Sequence, residues 1–319
     1  FLDFSSLHLA TGCPDPHLRV AAAAIVDPEY GGCAALPERA WRAGCYMGPY
    51  EVSTGSVIWS AWPLDSAIHD PLGFTAWIAE HWKGLQIRRE RRAARTPAKM
   101  AESLLSVARW AADGIPALAV YEDLWREADD RLRYFGRYAL IKALEIFYRT
   151  GVVLAPIPDI RPRGGWSPRA TLAAIFPNDV GLQDGSTAED CARVQARVDE
   201  LRFALAHRTG GKPCSYYTLE VLLCNFRVAL KGKYAGWALD SDLAHYHKAR
   251  AYWGPQLQLP FYEIRRRLFP PECLGELGGW EGPRDRLGNT ITQHHFFWSD
   301  VVYDYAATTD LAHPIHRVA

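Results

Sequence analysis

Apolar residues in this chain recur every three to four positions, in runs that open and close on helix-end residues. His17 to Val26 fits a short helix. Pro37 opens the next, with Trp41, Cys45 and Gly48 on its apolar face. Val52 to Trp62 stops before Pro63, and Phe74 to Trp82 reads as a short aromatic helix. Thr96-Pro97 pairs an N-cap with a first-turn proline ahead of Met100, Leu104, Val107 and Ala111, and Asp113-Gly114 ends that run. Pro116 starts a helix through Val120, Leu124 and Trp125. Leu132 to Tyr148 follows, with Leu140, Ala143, Leu144 and Phe147 on one face and Gly151 as its stop. Ser167-Pro168 starts a short helix. Ser186 or Thr187 caps a longer one to about His207, with Val194, Val198, Leu201 and Leu205 inward. Ser215 caps Tyr216 to Leu230, and Asp240 or Ser241 begins a helix through His245 and Ala249. From Pro255 the pattern weakens, and Val301 to Tyr305 reads equally as strand or helix turn. With no alternation of strands and helices, the expected class is mainly α.

At 319 residues the chain is long enough for one large core or two lobes. Residues 152–168 are rich in Pro, Gly and Arg, which predicts a helical lobe at 1–151, a connection at 152–168, and a second helical lobe at 169–319 with an irregular tail. No apolar run reaches the roughly 18 residues of a membrane span, and no charged and apolar leader pattern is present, so no secretory signal is expected. The seven cysteines are scattered without a CxxC pair, which predicts reduced thiols rather than a disulfide framework or a zinc site.

The formal net charge is zero, with 36 Lys+Arg against 36 Asp+Glu, which excludes a strongly basic binder on average. The distribution is uneven: residues 1–82 hold 3 basic and 9 acidic residues, and residues 83–99 hold 7 basic and 1 acidic. The run from Lys83 to Lys99 suits DNA phosphates, and equally a solvated face. Nucleotide-cradle, hydrolase-elbow, zincin and dinucleotide motifs are all missing.

Three constellations could carry chemistry. Gly136 precedes a helix with Arg137 and Lys142, a place where backbone N–H groups and cations can hold a phosphate or a DNA backbone; a plain helix junction fits the same residues. Glu220, Cys224 and Arg227 lie at spacings of four and three on one helical face, followed by Lys231, Lys233, Tyr234, Asp240 and Asp242. A carboxylate beside several cations suits a polyanion and an activated nucleophile, and also an exposed salt-bridge face. Trp41, Tyr46, Tyr50, Trp59 and Trp62 could stack an extruded base or form core. The pairs His245/His247, His294/His295 and His313/His316 lack helical metal-ligand spacing in regular segments, so no metal site is expected.

These residues carry a resemblance. Thr11-Gly12-Cys13-Pro14-Asp15-Pro16, Glu38-Arg39-Ala40-Trp41, Tyr46 through Tyr50, Val52, Thr54 and Trp59 to Pro63 form a first block. Phe135-Gly136-Arg137-Tyr138-Ala139 with Lys142 and Glu145 form a second. Thr218 to Phe226 and Lys231-Gly232-Lys233-Tyr234-Ala235-Gly236-Trp237-Ala238-Leu239-Asp240 form a third. Together they resemble, in order, the amino acid:DNA transferases of DNA-hypermodifying bacteriophages, relatives of the α-glutamyl/putrescinyl-thymine pyrophosphorylases. Cys13 and Ala238-Leu239 depart from that pattern, and residues 255–319 do not contribute to it.

The resemblance implies transfer of an amine, typically an amino acid such as glycine, onto pyrophosphorylated 5-hydroxymethyluracil in double-stranded phage DNA. Pyrophosphate leaves and a hypermodified thymine remains. It implies no required cofactor, Mg²⁺ being an optional companion of pyrophosphate, no membrane partner, and work in the cytoplasm of the infected bacterial host. On this reading Glu220 is the general base, with Asp240 as second choice. Lys231, Lys233 and Arg227 contact pyrophosphate; Gly136, Arg137 and Lys142 contact DNA backbone or substrate phosphate; Tyr50 and Trp59 contact the base. The competing expectations are a helix-hairpin-helix DNA-glycosylase-like fold that excises bases, and a non-catalytic helical DNA-binding phage protein.

Overall fold

The structure is a computed structural model, and it describes residues 1–10, 15–116, 118, 120–160, 165–179, 181–182, 187–230 and 237–269, without the side chains of 7, 10, 228, 229 and 237–241. Every regular element among them is a helix, so the protein is mainly α. In chain order these are α1 (Leu2–Ala10), α2 (Pro16–Val26), α3 (Leu36–Met47), α4 (Val52–Ala61), α5 (Leu64–His69), α6 (Pro71–Glu80) and α7 (Pro97–Asp113). Then come α8 (Tyr121–Arg131), α9 (Arg137–Arg149), α10 (Trp166–Ile175), α11 (Ala188–Thr209), α12 (Tyr216–Leu230), α13 (Trp237–Trp253) and α14 (Phe261–Leu268).

The end signals act as their chemistry dictates. Thr96 caps α7 by accepting the Lys99 N–H at 3.3 Å. Thr187 and Asp190 form a reciprocal capping box on α11, which ends on left-handed Gly210. Three expected starts move. Leu118 N–H turns back to Pro116 at 2.8 Å, a tight turn in place of a helical start, so α8 begins at Tyr121. Tyr134, with φ 60°, interrupts the run expected from Leu132, and α9 begins at Arg137. The helix expected from Asp240 already begins at Trp237. Val301 to Tyr305 lies outside the described residues.

The chain parts into two compact units, each built from separated segments. The first unit takes Phe1–Pro16, Ile157–Ser241 and the chain from Arg266; the second takes His17–Pro156 and Asp242–Arg265. Thus 1–16 group with residues after 156, and 242–265 group with residues before it.

In the first unit, α12 packs on α10 and on α1, and α11 packs on α1 and α10. Its core joins Phe1, Phe4, Leu172, Val194, Val198, Leu219, Leu222 and Phe226, with both N-terminal phenylalanine rings edge-on to Phe226. In the second unit, α3 packs on α4, α7 and α9, and α7 also takes α5 and α6. Close approach of α3 to α7 depends on Gly44: a Cβ there would lie 2.4 Å from Val107 Cγ1 and 2.9 Å from its Cβ. Trp41, Phe74, Trp110 and Phe147 fill the space around this contact in edge-on pairs.

Candidate functional site

Two turns of the second unit hold a backbone that side-chain-bearing residues rarely adopt. Tyr50 has φ 56° and Tyr134 φ 60°, and each stands just before a helix, α4 and α9. Such a conformation costs on the order of 1–3 kcal/mol and persists where the surroundings enforce it. Arg91 ties the two turns together. Its guanidinium donates to Gly48 O at 2.7 Å, to Tyr134 O at 3.0 Å and to Ser103 Oγ at 2.8 Å, and lies 4.1 Å from the Phe135 ring centre. Burial lowers its pKa to about 10, so it stays cationic at neutral pH. Tyr50 also meets Tyr138 of α9, the two hydroxyls being 3.4 Å apart. The first and second sequence blocks are therefore neighbours.

A second arginine of the same run builds a buried charge cluster beside Tyr50. Arg88 N–H donates to Pro49 O at 3.0 Å, and its guanidinium lies 5.9 Å from the Tyr50 ring centre. Arg88 Nη2 donates to Asp242 Oδ1 at 2.7 Å. His17 Nδ1 contacts the same oxygen and lies 2.8 Å from Arg88 Nη2. Arg88 Nη2 and His17 Nδ1 thus converge on one carboxylate oxygen.

Burial alone would raise the Asp242 pKa. The charge and hydrogen bond of His17, then Arg88 and Arg265, outweigh it and hold the carboxyl at about 2. Glu51 is fully buried and caps α4, accepting Ser53 N–H at 3.1 Å and Thr54 N–H at 2.7 Å. Its pKa is raised, by burial first and then by the Asp242 charge, against the pull of those N–H groups and of Arg88. His245, one turn along α13 from Asp242, is lowered to about 4 by burial and by Arg88. Asp242 Oδ2, Arg88 Nε and His245 Nδ1 are buried without a hydrogen-bond partner among the described residues.

The basic run thus divides. Arg88 and Arg91 are internal, whereas Lys83, Arg89, Arg92, Arg95 and Lys99 are exposed. A buried guanidinium cannot line a DNA phosphate, so Arg88 and Arg91 drop out of the expected phosphate-lining run.

The residues singled out in the sequence fall in both units. In the second, Trp59 lines a cavity of about 480 Å³ with Glu38, Arg42, Ser56, Ser60 and Gln258. Arg42 donates to Glu38 Oε1 at 3.3 Å and to Gly31 O at 2.7 Å, and lies 6.0 Å from the Trp59 ring centre. Gly136 is the N-cap of α9 with an ordinary φ of −75°, and a Cβ there would meet nothing within 4 Å. Arg137, the first residue of α9, is half-buried. Lys142 is buried and its ammonium contacts Glu145 Oε2 at 2.8 Å, while Arg149 holds Glu145 Oε1 at 2.9 Å.

In the first unit Glu220 is buried on α12, and the Cys224 thiol donates to its Oε1 at 3.5 Å. Arg227 turns to α10, stacked 3.7 Å over Trp166, with Nη1 3.4 Å from Ser167 Oγ; burial lowers its pKa. Lys231, Lys233 and the side chain of Asp240 lie outside the described residues, as do His294/His295 and His313/His316. No group of three His, Cys, Asp or Glu among the described residues could hold a metal ion, and no described helix is long and apolar enough to cross a membrane.

Sequence reading did not single out His17 or Glu51. One sits in the first turn of a helix and the other is an acidic N-cap, and neither pattern announces chemistry. No protein-family model, curated protein or solved structure matches the chain.

Proposed function

We propose that this protein transfers an amino acid, glycine foremost, onto pyrophosphorylated 5-hydroxymethyluracil in double-stranded phage DNA, with release of pyrophosphate, in the cytoplasm of the infected host. The observation that carries this reading is the Arg91 clamp. It bonds Gly48 in the first block of the transferase resemblance and Tyr134 just before the second, beside the strained Tyr50 and at the strained Tyr134. Strain held at such a cost is concentrated at functional sites.

The chemistry asks for four things: cations for the leaving pyrophosphate, a base for the ammonium, a partner for the amino acid's carboxylate, and a surface for the base. The cavity at Trp59 offers an aromatic wall, with Glu38 and Arg42 of opposite charge beside it. That combination suits a zwitterion. Arg137 and the open N-terminus of α9 at Gly136 suit a phosphate. Arg227, Lys231 and Lys233 are the proposed pyrophosphate contacts, with Mg²⁺ as an optional companion, and Tyr50 and Trp59 are the proposed base contacts. Lys142 would have to share its charge with Glu145 to serve a phosphate. Glu220 and Asp240 are the carboxylates assigned to the ammonium proton.

The deciding experiment incubates the protein with DNA containing pyrophosphorylated hydroxymethyluracil and a panel of amino acids, then weighs the digested nucleosides. An amino-acid mass increment with pyrophosphate release is expected. Free base and abasic sites would make it a glycosylase, and bound but unchanged DNA would make it a binding protein.

A further inference from the structure

Arg88 lies 2.7 Å from Asp242 Oδ1 in a site where the Asp242 side chain is 1% exposed. A structural ion pair needs nothing more, yet His17 is directed at the same oxygen. An imidazole held by a buried carboxylate through Nδ1 has a fixed orientation and a fixed tautomer. In the neutral form the lone pair is then on Nε2, on the far side of the ring. Around the dyad stand Arg88, Glu51, His245 and Arg265, with Tyr46 and Tyr50 next to Arg88. The buried polar atoms Asp242 Oδ2, Arg88 Nε and His245 Nδ1 have no hydrogen-bond partner among the described residues.

We propose that His17 takes the proton from the incoming amine through Nε2, with Asp242 and Arg88 as positioning residues. This rests on the transfer reading and moves the base from Glu220 to His17. The ammonium of the amino acid gives one proton to Nε2. The freed nitrogen lone pair forms the C–N bond at the exocyclic methylene carbon. The C–O bond to pyrophosphate breaks, and its electron pair leaves on the pyrophosphate oxygen. The proton on His17 then passes to solvent.

The test compares two amines on the same modified DNA with the full chain: glycine, an ammonium ion at neutral pH, and hydroxylamine, largely free base there. His17→Gln is expected to lose roughly 10²–10⁴-fold in rate with glycine, and to come within about tenfold of the unsubstituted protein with hydroxylamine, which needs no base. Asp242→Asn should show the same split, in a smaller measure. A purely structural role would lower both amines alike.

Three results overturn the proposal. His17→Gln could stay within about threefold of the unsubstituted protein on glycine. A variant shown to be folded by its thermal transition could lose both amines equally. Glu220→Gln, run alongside, could show the hydroxylamine rescue while His17→Gln does not, which would return the role to Glu220. Failure of the unsubstituted protein to transfer any amine is a separate outcome that sinks the transfer reading itself.

Discussion

Asp242 and His245 sit one helical turn apart on α13, and burial acts on them in opposite directions. It favours the neutral form of both, but His17 and Arg88 overrule it at Asp242 and hold that carboxyl at about 2. Nothing overrules it at His245, which falls to about 4. The signs for stability follow from which state binds more protons. Between about pH 6.5 and 4 the unfolded chain protonates His245 and the folded protein does not, so stability is full above that window and is lost as pH falls through it. The Asp242 contribution is full above the ordinary carboxylate range and is lost as pH falls toward 2. The urea midpoint should therefore decline in two stages on acidification. His245→Gln should make the first stage shallower, by at most about 1.4 kcal/mol per pH unit, and leave the second in place. An unchanged first stage in that variant would show that His245 is not held neutral.

Among the helices, two glycines make opposite predictions. Gly44 on α3 has Val107 of α7 where a Cβ would go, so Gly44→Ala should cost about 1–3 kcal/mol of unfolding free energy by overpacking. Gly136 at the start of α9 has ordinary backbone angles and open space, so Gly136→Ala should cost less than about 1 kcal/mol. If a phosphate approaches the backbone there, the second variant is the one that loses transfer activity while keeping its melting temperature.

Helix ends were largely legible because caps and prolines act locally: the bounds of α12 agree with the sequence reading, and Thr187 caps α11. The delayed starts of α8 and α9 were not, because a Pro116 turn and a left-handed Tyr134 are backbone choices that periodicity does not encode. The spacing of Glu220 and Cys224 did predict their contact. The meeting of His17, Arg88 and Asp242 was illegible, since it joins distant segments and no local pattern pairs their residues.

At the scale of the whole molecule, a neutral average conceals a sorting of cations by depth. Arg88 and Arg91 serve the interior, and Arg92 and Arg95 remain exposed on the same run. On the DNA-binding reading, replacing Arg92 and Arg95 by Gln should reduce the slope of log K against log salt by about 2. Filter binding or fluorescence anisotropy across a salt series measures it; an unaltered slope would place the phosphates elsewhere.

The second unit is made of two stretches, and the first residue of each, His17 and Asp242, are bonded to one another. During synthesis this sets an order of events. Arg88 emerges 154 residues before the carboxylate that balances it, a gap of roughly 8–30 s at the usual elongation rates. Until Asp242 is made, the first stretch of this unit stands with its central cation uncompensated. The second unit therefore cannot close when its first stretch is complete. Its closure waits until α13 has left the ribosome, and premature termination before that point would leave a long helical fragment lacking the carboxylate it was built around.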